Sequence, residues 1–380
     1  MNVRSASRLV LAASVAAVTL GLPADAVRTA AAADVLQNYV YVFDNSSSPR
    51  IHGFLLGTDG SLTAVPGSPF FTTDGAGDCS GFCNAATWSA ARGFVLTAGA
   101  TGITSWSVAA DGALTETLGS PFATTVSSPV TSVAAVQRGD RTFAYVSQYF
   151  AKTLDGFEVA ADGTLSHLAG FPKKKLNQLS VTSGAGDKLV GCDEAHHGMF
   201  SFKVSASGAV KKAPRAPVKV AGKGSLYFAV IHPTAKFAYT ADYARGHSVY
   251  GFKIASSGAL SKLAGKPLSL GIANADGGLA FASPSLMYAV ESNGDGGADV
   301  QAVAIGTKGT MSKLGGAQTS GMSNIRTFGA SPDGAFLVAA SNDDGEVRSY
   351  AIDAVTGALS QADVESVSLG SANGIAFVTR

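Results

Sequence analysis

The chain has 380 residues, of which 46% are hydrophobic and only 14% charged, with 45 glycines and a formal net charge of +1. That balance excludes a disordered chain and a polyanion binder that works by bulk charge, so nucleic acid is not an expected partner. Abundant glycine with little charge points to a β-rich chain full of tight turns.

At the N-terminus Arg4 and Arg8 precede or flank an apolar run from Leu9 to Leu22, followed by Pro23-Ala24-Asp25-Ala26. A basic flank, an apolar stretch short for a bilayer crossing and an Ala-x-Ala end read as a secretory signal peptide over residues 1–26. Ala30 to Ala33 offers a later cleavage site. Residues 27–37 read as a linker and 38–380 as the folded domain. No second apolar stretch is long enough to cross a membrane, so the expectation is an exported monomer, extracellular or periplasmic, with no membrane anchor.

From Val40 onward one theme repeats: an apolar strand, a second strand, then a turn with glycine in its second place. The turns are Asp59-Gly60-Ser61-Leu62, Asp111-Gly112-Ala113-Leu114, Asp162-Gly163-Thr164-Leu165, Ser207-Gly208-Ala209-Val210, Ser257-Gly258-Ala259-Leu260, Lys308-Gly309-Thr310-Met311 and Thr356-Gly357-Ala358-Leu359. Their spacing of about fifty residues is the length of a four-stranded propeller blade. Inner strands are predicted near Ala85–Trp88, Val130–Val133, Leu179–Val181, Phe228–Ile231, Leu279–Ala282 and Thr327–Ala330. The first unit begins directly with its second strand, Val40-Tyr41-Val42-Phe43, and has no inner one. The missing strand stands at the other chain end, in Asn373-Gly374-Ile375-Ala376-Phe377-Val378. The predicted fold is therefore an all-β, seven-bladed propeller, closed by pairing the C-terminal strand with the N-terminal blade so that no sheet edge stays open.

In such a ring the starts of the inner strands and the loops after the second strands share one axial face. His232-Pro233 and Ser331-Pro332-Asp333-Gly334 fall on the opposite face and read as structural turns. The functional face carries Asp44, Gln148, Asp193, Glu194, Asp242, Glu291 and Asn342. Two readings stand. Asp and Asn at strand ends cap turns, or converging carboxylates hold Ca²⁺ or act as acid and base on a sugar-like ligand. Arg326 is either the partner of an internal ion pair or the clamp for an anionic ligand.

Other features weigh less. Cys79 and Cys83 bracket a glycine-containing loop and are spaced for a small disulfide in an oxidising compartment. Cys192 lies in an apolar strand pattern and reads as a buried thiol. His196-His197 reads as part of a polar loop, since adjacent side chains of an extended chain face opposite ways. Asn293-Gly294-Asp295-Gly296-Gly297 and Asn342-Asp343-Asp344-Gly345 look like calcium-loop fragments, but hairpin turns account for both. Lys173, Lys174, Lys175, Lys211, Lys212, Arg215, Lys219 and Lys223 read as solvated outer-strand positions or as a patch for an acidic glycan or protein. Asn45-Ser46-Ser47 is a glycosylation sequon.

Gly67-Ser68-Pro69-Phe70, Gly119-Ser120-Pro121-Phe122, His232-Pro233, and Pro332-Asp333-Gly334 followed by Phe336-Leu337-Val338-Ala339 together resemble the lactonase-type seven-bladed propellers. That group includes propeller 6-phosphogluconolactonases and carboxymuconate cyclases. The resemblance, from about Val40 to the C-terminus, implies a lactone hydrolase or cyclase acting on a small anionic or sugar-like ligand, with no obligatory cofactor. It also implies His and Arg at the starts of inner strands and Glu after a second strand. Here the fourth blade has Asn177, Gln178 and Leu179 at that place, the fifth has Ser225-Leu226-Tyr227, and Asp242-Tyr243 follows the fifth blade's second strand. Only the last blade keeps a basic residue, in Ile325-Arg326-Thr327-Phe328. These departures make the active site divergent, and leave a non-catalytic propeller that binds an extracellular glycan or protein as the alternative.

Overall fold

The computed structural model describes residues 37–380, apart from 47, 75–85, 90–91, 175–177, 184–185, 194–196, 215, 221–225, 243–247, 271–277, 293–297 and 317. These residues form seven antiparallel sheets, the seven blades expected from the repeat. Among them no helix is long and apolar enough to cross a membrane.

Blade 1 is composite. Its second strand, Asn38–Asp44, pairs on one side with Arg50–Leu56 and on the other with the C-terminal strand Ala372–Thr379, setting Val42 opposite both His52 and Ile375. Reciprocal backbone bonds between Gln37 and Arg380, at 2.6 and 2.9 Å, extend the seam to the last residue. Tyr39 to Phe43 are at most 1% exposed, so the closing seam is core rather than surface. Asn45 of the sequon is buried beside it, its backbone N–H bonded to the Ser371 carbonyl.

The inner strands of blades 2 to 7 are Ala86–Ser89, Ser132–Arg138, Gln178–Ser183, Leu226–Ile231, Leu279–Ser283 and Ile325–Ala330. In blade 3 the strand starts later than expected. Val130 is fully buried but bonds to the Gly99 carbonyl of blade 2, tying two blades together instead of joining its own ladder.

All seven hairpin glycines have φ between 72° and 89°. At Gly163 a Cβ would also stand 2.2 Å from the Phe94 ring of blade 2, so both backbone and space require glycine there. Each hairpin packs against the preceding blade, and the contact carries a repeated hydrogen bond. The hydroxyls of Tyr41, Tyr145, Tyr239 and Tyr288 donate to the carbonyls of Gly112, Gly208, Gly309 and Gly357 at 2.7 to 3.1 Å. Burial pushes these four phenols well above their ordinary range, which keeps them neutral donors.

In blades 4 and 7, whose second strands have no tyrosine, the cross-strand neighbour takes over. Tyr41, Tyr145 and Tyr239 face Gly53, Gly156 and Gly251, whereas Val190 and Val338 face Ser201 and Ser349. Those serines donate to Gly258 (2.7 Å) and Gly60 (2.5 Å), and the second of these bonds joins blade 7 to blade 1. A large ring opposite glycine and a small hydroxyl opposite valine fill the same space and satisfy the same carbonyl.

The outer edges are more broken than the sequence suggests. After each three-residue outer strand of blades 1 to 5 the chain turns and a two-residue strand, such as Phe70–Phe71 or Phe122–Ala123, returns to pair with the start of the third strand. Proline stands at each break; without an N–H it cannot continue a ladder, and the edge is left too short to recruit another strand. Blade 7 has no such break and runs its outer strand over Leu359–Ser366.

Candidate functional site

Antiparallel pairing sets the start of each inner strand against the end of its second strand. Gln178 pairs with Asp193, Leu226 with Asp242, Ile325 with Ser341 and Ala372 with Asp44. These pairs define the axial face named from the repeat. The opposite face holds the predicted turns: the Ala235 N–H bonds the His232 carbonyl at 2.7 Å, and the Gly334 N–H bonds that of Ser331 at 2.8 Å. His232 is structural, its Nε2 lying 2.7 Å from the Pro284 carbonyl of the next blade.

Four of these axial starts are bulged. The register shifts between Gln178 and Val181, between Leu226 and Ala229, between Ile325 and Thr327, and opposite Phe43/Asp44. Arg326 is itself the extra residue of the blade 7 bulge and is half-buried. Bulges re-aim side chains and recur at binding sites, whereas blades 2 and 3 keep continuous register at this end.

The polar groups that follow the second strands of blades 1, 3 and 7 bond to the connections around them. Asp44 is fully buried; its Oδ1 accepts from the N–H groups of Gly370 (3.1 Å) and Ser371 (2.7 Å), and its Oδ2 pairs with Arg50 Nε at 3.1 Å. Gln148 Nε2 donates to the carbonyls of Val126 (2.8 Å) and Ser128 (2.6 Å), and its Oε1 accepts from Thr153. Asn342 Oδ1 accepts from the Ala372 N–H at 2.6 Å. Asp344 accepts from the Ser323 N–H and hydroxyl; burial opposes its ionisation, but these bonds outweigh that and hold its carboxyl below the usual range. The Asn342–Gly345 segment is thus a hairpin turn.

Asp74 completes this set and was not read from the sequence. Blade 2 has Gly99 where other blades carry a polar residue, and a Cβ on Gly99 would stand 1.9 Å from Asp74 Oδ2. Asp74, from the preceding connection, fills that space and accepts from the Thr101 N–H and hydroxyl. The missing side chain at Gly99 was the available signal.

The ligand-binding candidates lie on blades 4, 5 and 6, in ring order just before Arg326 of blade 7. Asp193 ends the strand Lys188–Asp193, Asp242 ends Phe237–Asp242, and Glu291 lies next to last in Leu286–Ser292. Asp242 is 2% exposed, and its charge adds to burial in raising the Tyr250 phenol above its ordinary value. Glu194 and the Cys79–Cys83 pair lie outside the described residues. Among the described residues no group of three or more His, Cys, Asp and Glu is arranged to hold a metal ion. Cys192 is a buried thiol in no disulfide, its Sγ 3.3 Å from Thr240 Oγ1. Lys174, Lys211, Lys212 and Lys219 are exposed on the outer strands of blades 3 and 4, whereas Lys175, Arg215 and Lys223 lie outside the described residues.

No protein-family model and no curated protein matches the sequence. Among solved structures, a protein from Lactobacillus plantarum superposes with TM-score 0.69 at 16% identity, covering 90% of this chain and 100% of that one. A candidate 6-phosphogluconolactonase from Bacteroides uniformis gives 0.68 at 18%, covering 90% and 99%. The periplasmic gluconolactonase of Pseudomonas aeruginosa gives 0.68 at 19%, covering 90% and 99%. The chain has the seven-bladed propeller fold of these lactonase-type structures.

Proposed function

We propose that this protein is an exported lactonase-like propeller that binds a small anionic or sugar-like lactone, or its hydroxy acid, at the axial face and hydrolyses the lactone. Export rests on the character of residues 1–26. The observation that carries the site is placement: Asp193, Asp242 and Glu291 stand at or next to the ends of the second strands of blades 4, 5 and 6, and the bulged Arg326 of blade 7 follows them in ring order. In this reading a carboxylate of that arc takes a proton from water as it attacks the lactone carbonyl. Arg326 stabilises the oxyanion; collapse breaks the ring C–O bond, and the departing alkoxide takes up a proton to give the hydroxy acid. Ca²⁺ held by the same carboxylates is a variant of this reading, and is tested alongside it.

The test is turnover of a panel of sugar and aliphatic lactones, with and without Ca²⁺, by the wild type and the Arg326→Ala and Asp242→Asn variants. Arg326→Ala is expected to lower kcat/KM by about 10²- to 10³-fold. If no lactone is opened by the wild type and Arg326→Ala alters no binding, the hydrolase reading falls. The exposed Lys174, Lys211, Lys212 and Lys219 favour a second reading, a propeller that presents its rim to an acidic glycan or protein. Loss of binding to acidic polysaccharide when these lysines are replaced would select it.

A further inference from the structure

The repeat offers an internal comparison at the outer edge. Residues Asp155–Lys173 of blade 3 and Tyr250–Leu268 of blade 5 align one for one without a gap, sharing Gly-Phe, the hairpin Gly, Leu-Ser and Leu-Ala-Gly-x-Pro. In blade 3 the position before the proline is Phe171. Its ring covers Gly156, where a Cβ would stand 2.8 Å away, and lies 5.9 Å from Tyr145. Lys173 holds its ammonium 5.1 Å from the centre of that ring.

In blade 5 the matching residue is Lys266, which is exposed, and Leu263 with the Tyr239 ring covers Gly251. What remains is an open slot of ≈ 390 Å³ between blades 5 and 6, walled by Tyr250, Leu263, Pro267 and Met311. Lys262 and Lys266 stand among its lining residues, with no acidic side chain there. The residue of blade 4 that matches Lys262 is Lys212, whose ammonium lies 4.2 Å from the centre of the Phe200 ring, the counterpart of Tyr250. The chain thus uses this part of its blades twice to set an ammonium over an aromatic ring.

We propose that the blade 5 slot binds a small aryl carboxylate. The ring fills the space that Phe171 closes in blade 3, and the carboxylate pairs with Lys262 and Lys266. The volume is within the range of small-molecule sites, and two lysines without a competing acid select an anion. The slot lies on the outer edge, so this proposal stands apart from the axial reading.

Calorimetric titration of the full-length protein with 2-naphthoate, benzoate, cyclohexanecarboxylate and 2-naphthalenemethanol tests it. Saturable binding of 2-naphthoate is expected, with the saturated acid and the uncharged alcohol each weaker by about tenfold or more. Lys266→Phe, which installs the blade 3 residue, should abolish binding while the circular dichroism melt stays at or above that of the wild type. Met311→Trp fills the slot from blade 6 and should do the same. Lys262→Ala with Lys266→Ala should weaken binding about tenfold. Absence of saturable binding by the wild type overturns the proposal. So does wild-type affinity in both filled variants, or tighter binding of an uncharged Phe-Pro peptide than of 2-naphthoate.

Discussion

Asp44 and His52 sit in adjacent strands of blade 1 and show how the closing seam handles polar groups. The carboxylate is satisfied by two N–H groups and Arg50. His52 is 4% exposed, and its Nε2 has no hydrogen-bond partner among the described residues. Burial, reinforced by the Arg50 charge and partly offset by Asp44, lowers the imidazole from its ordinary 6.5. With the folded value below the unfolded one, the neutral ring contributes no penalty above about pH 6.5, and stability is lost as pH falls from there through the folded value. The melting temperature should therefore fall as the pH is lowered below about 6.5, and His52→Leu should flatten that drop. An equal pH slope in the two proteins would show that His52 is not the titrating group.

At the scale of the blade, the hydrogen-bonded latch that ties six of the seven hairpins to the preceding blade is the repeated stabilising device. Tyr145→Phe removes one donor and strands the Gly208 carbonyl, at a cost of about 1–3 kcal/mol. Tyr145→Val with Gly156→Ser and Phe171→Ala recreates the Val190/Ser201/Ala216 arrangement of blade 4, the third change removing the ring that a Cβ at position 156 would meet, and is expected to be less destabilising than Tyr145→Val with Phe171→Ala. Gly163→Ala meets both the left-handed φ of 84° and the Phe94 ring, and should cost about 1–3 kcal/mol or more. Urea midpoints read all three, and a Gly163→Ala protein as stable as the wild type would contradict the packing described. The hairpins were legible because their glycines answer a backbone demand that no other residue meets. The broken outer edge was not: Gly-Ser-Pro-Phe reads only as a turn, and whether a two-residue strand returns depends on the third strand it pairs with. Asp74 was hidden for a related reason, since a side chain borrowed from the preceding connection marks the local pattern only by an absence, at Gly99.

For the molecule as a whole, the two chain ends decide both the ring and its axial face. The pairing of Asn38–Asp44 with Ala372–Thr379 was legible because one unit lacks a strand and the C-terminus carries a spare. The axial candidates were legible only as a class. Sequence position gave the ends of the second strands but not which polar groups the inter-blade connections would take up, as they do with Asp44, Gln148 and Asn342. Nor does periodicity foretell a bulge: Arg326 becomes the extra residue because Ile325 pairs with Ser341 while Thr327 pairs with Ala340. The central claim is that a small sugar acid is held at this face, by the arc from blade 4 to blade 7. Amide hydrogen exchange of the full-length protein with and without saturating gluconate tests it most directly. Slower exchange confined to residues 178–181, 226–229, 240–242, 289–292 and 325–328 is the predicted result; unchanged exchange there, or protection only along the outer strands, would contradict it.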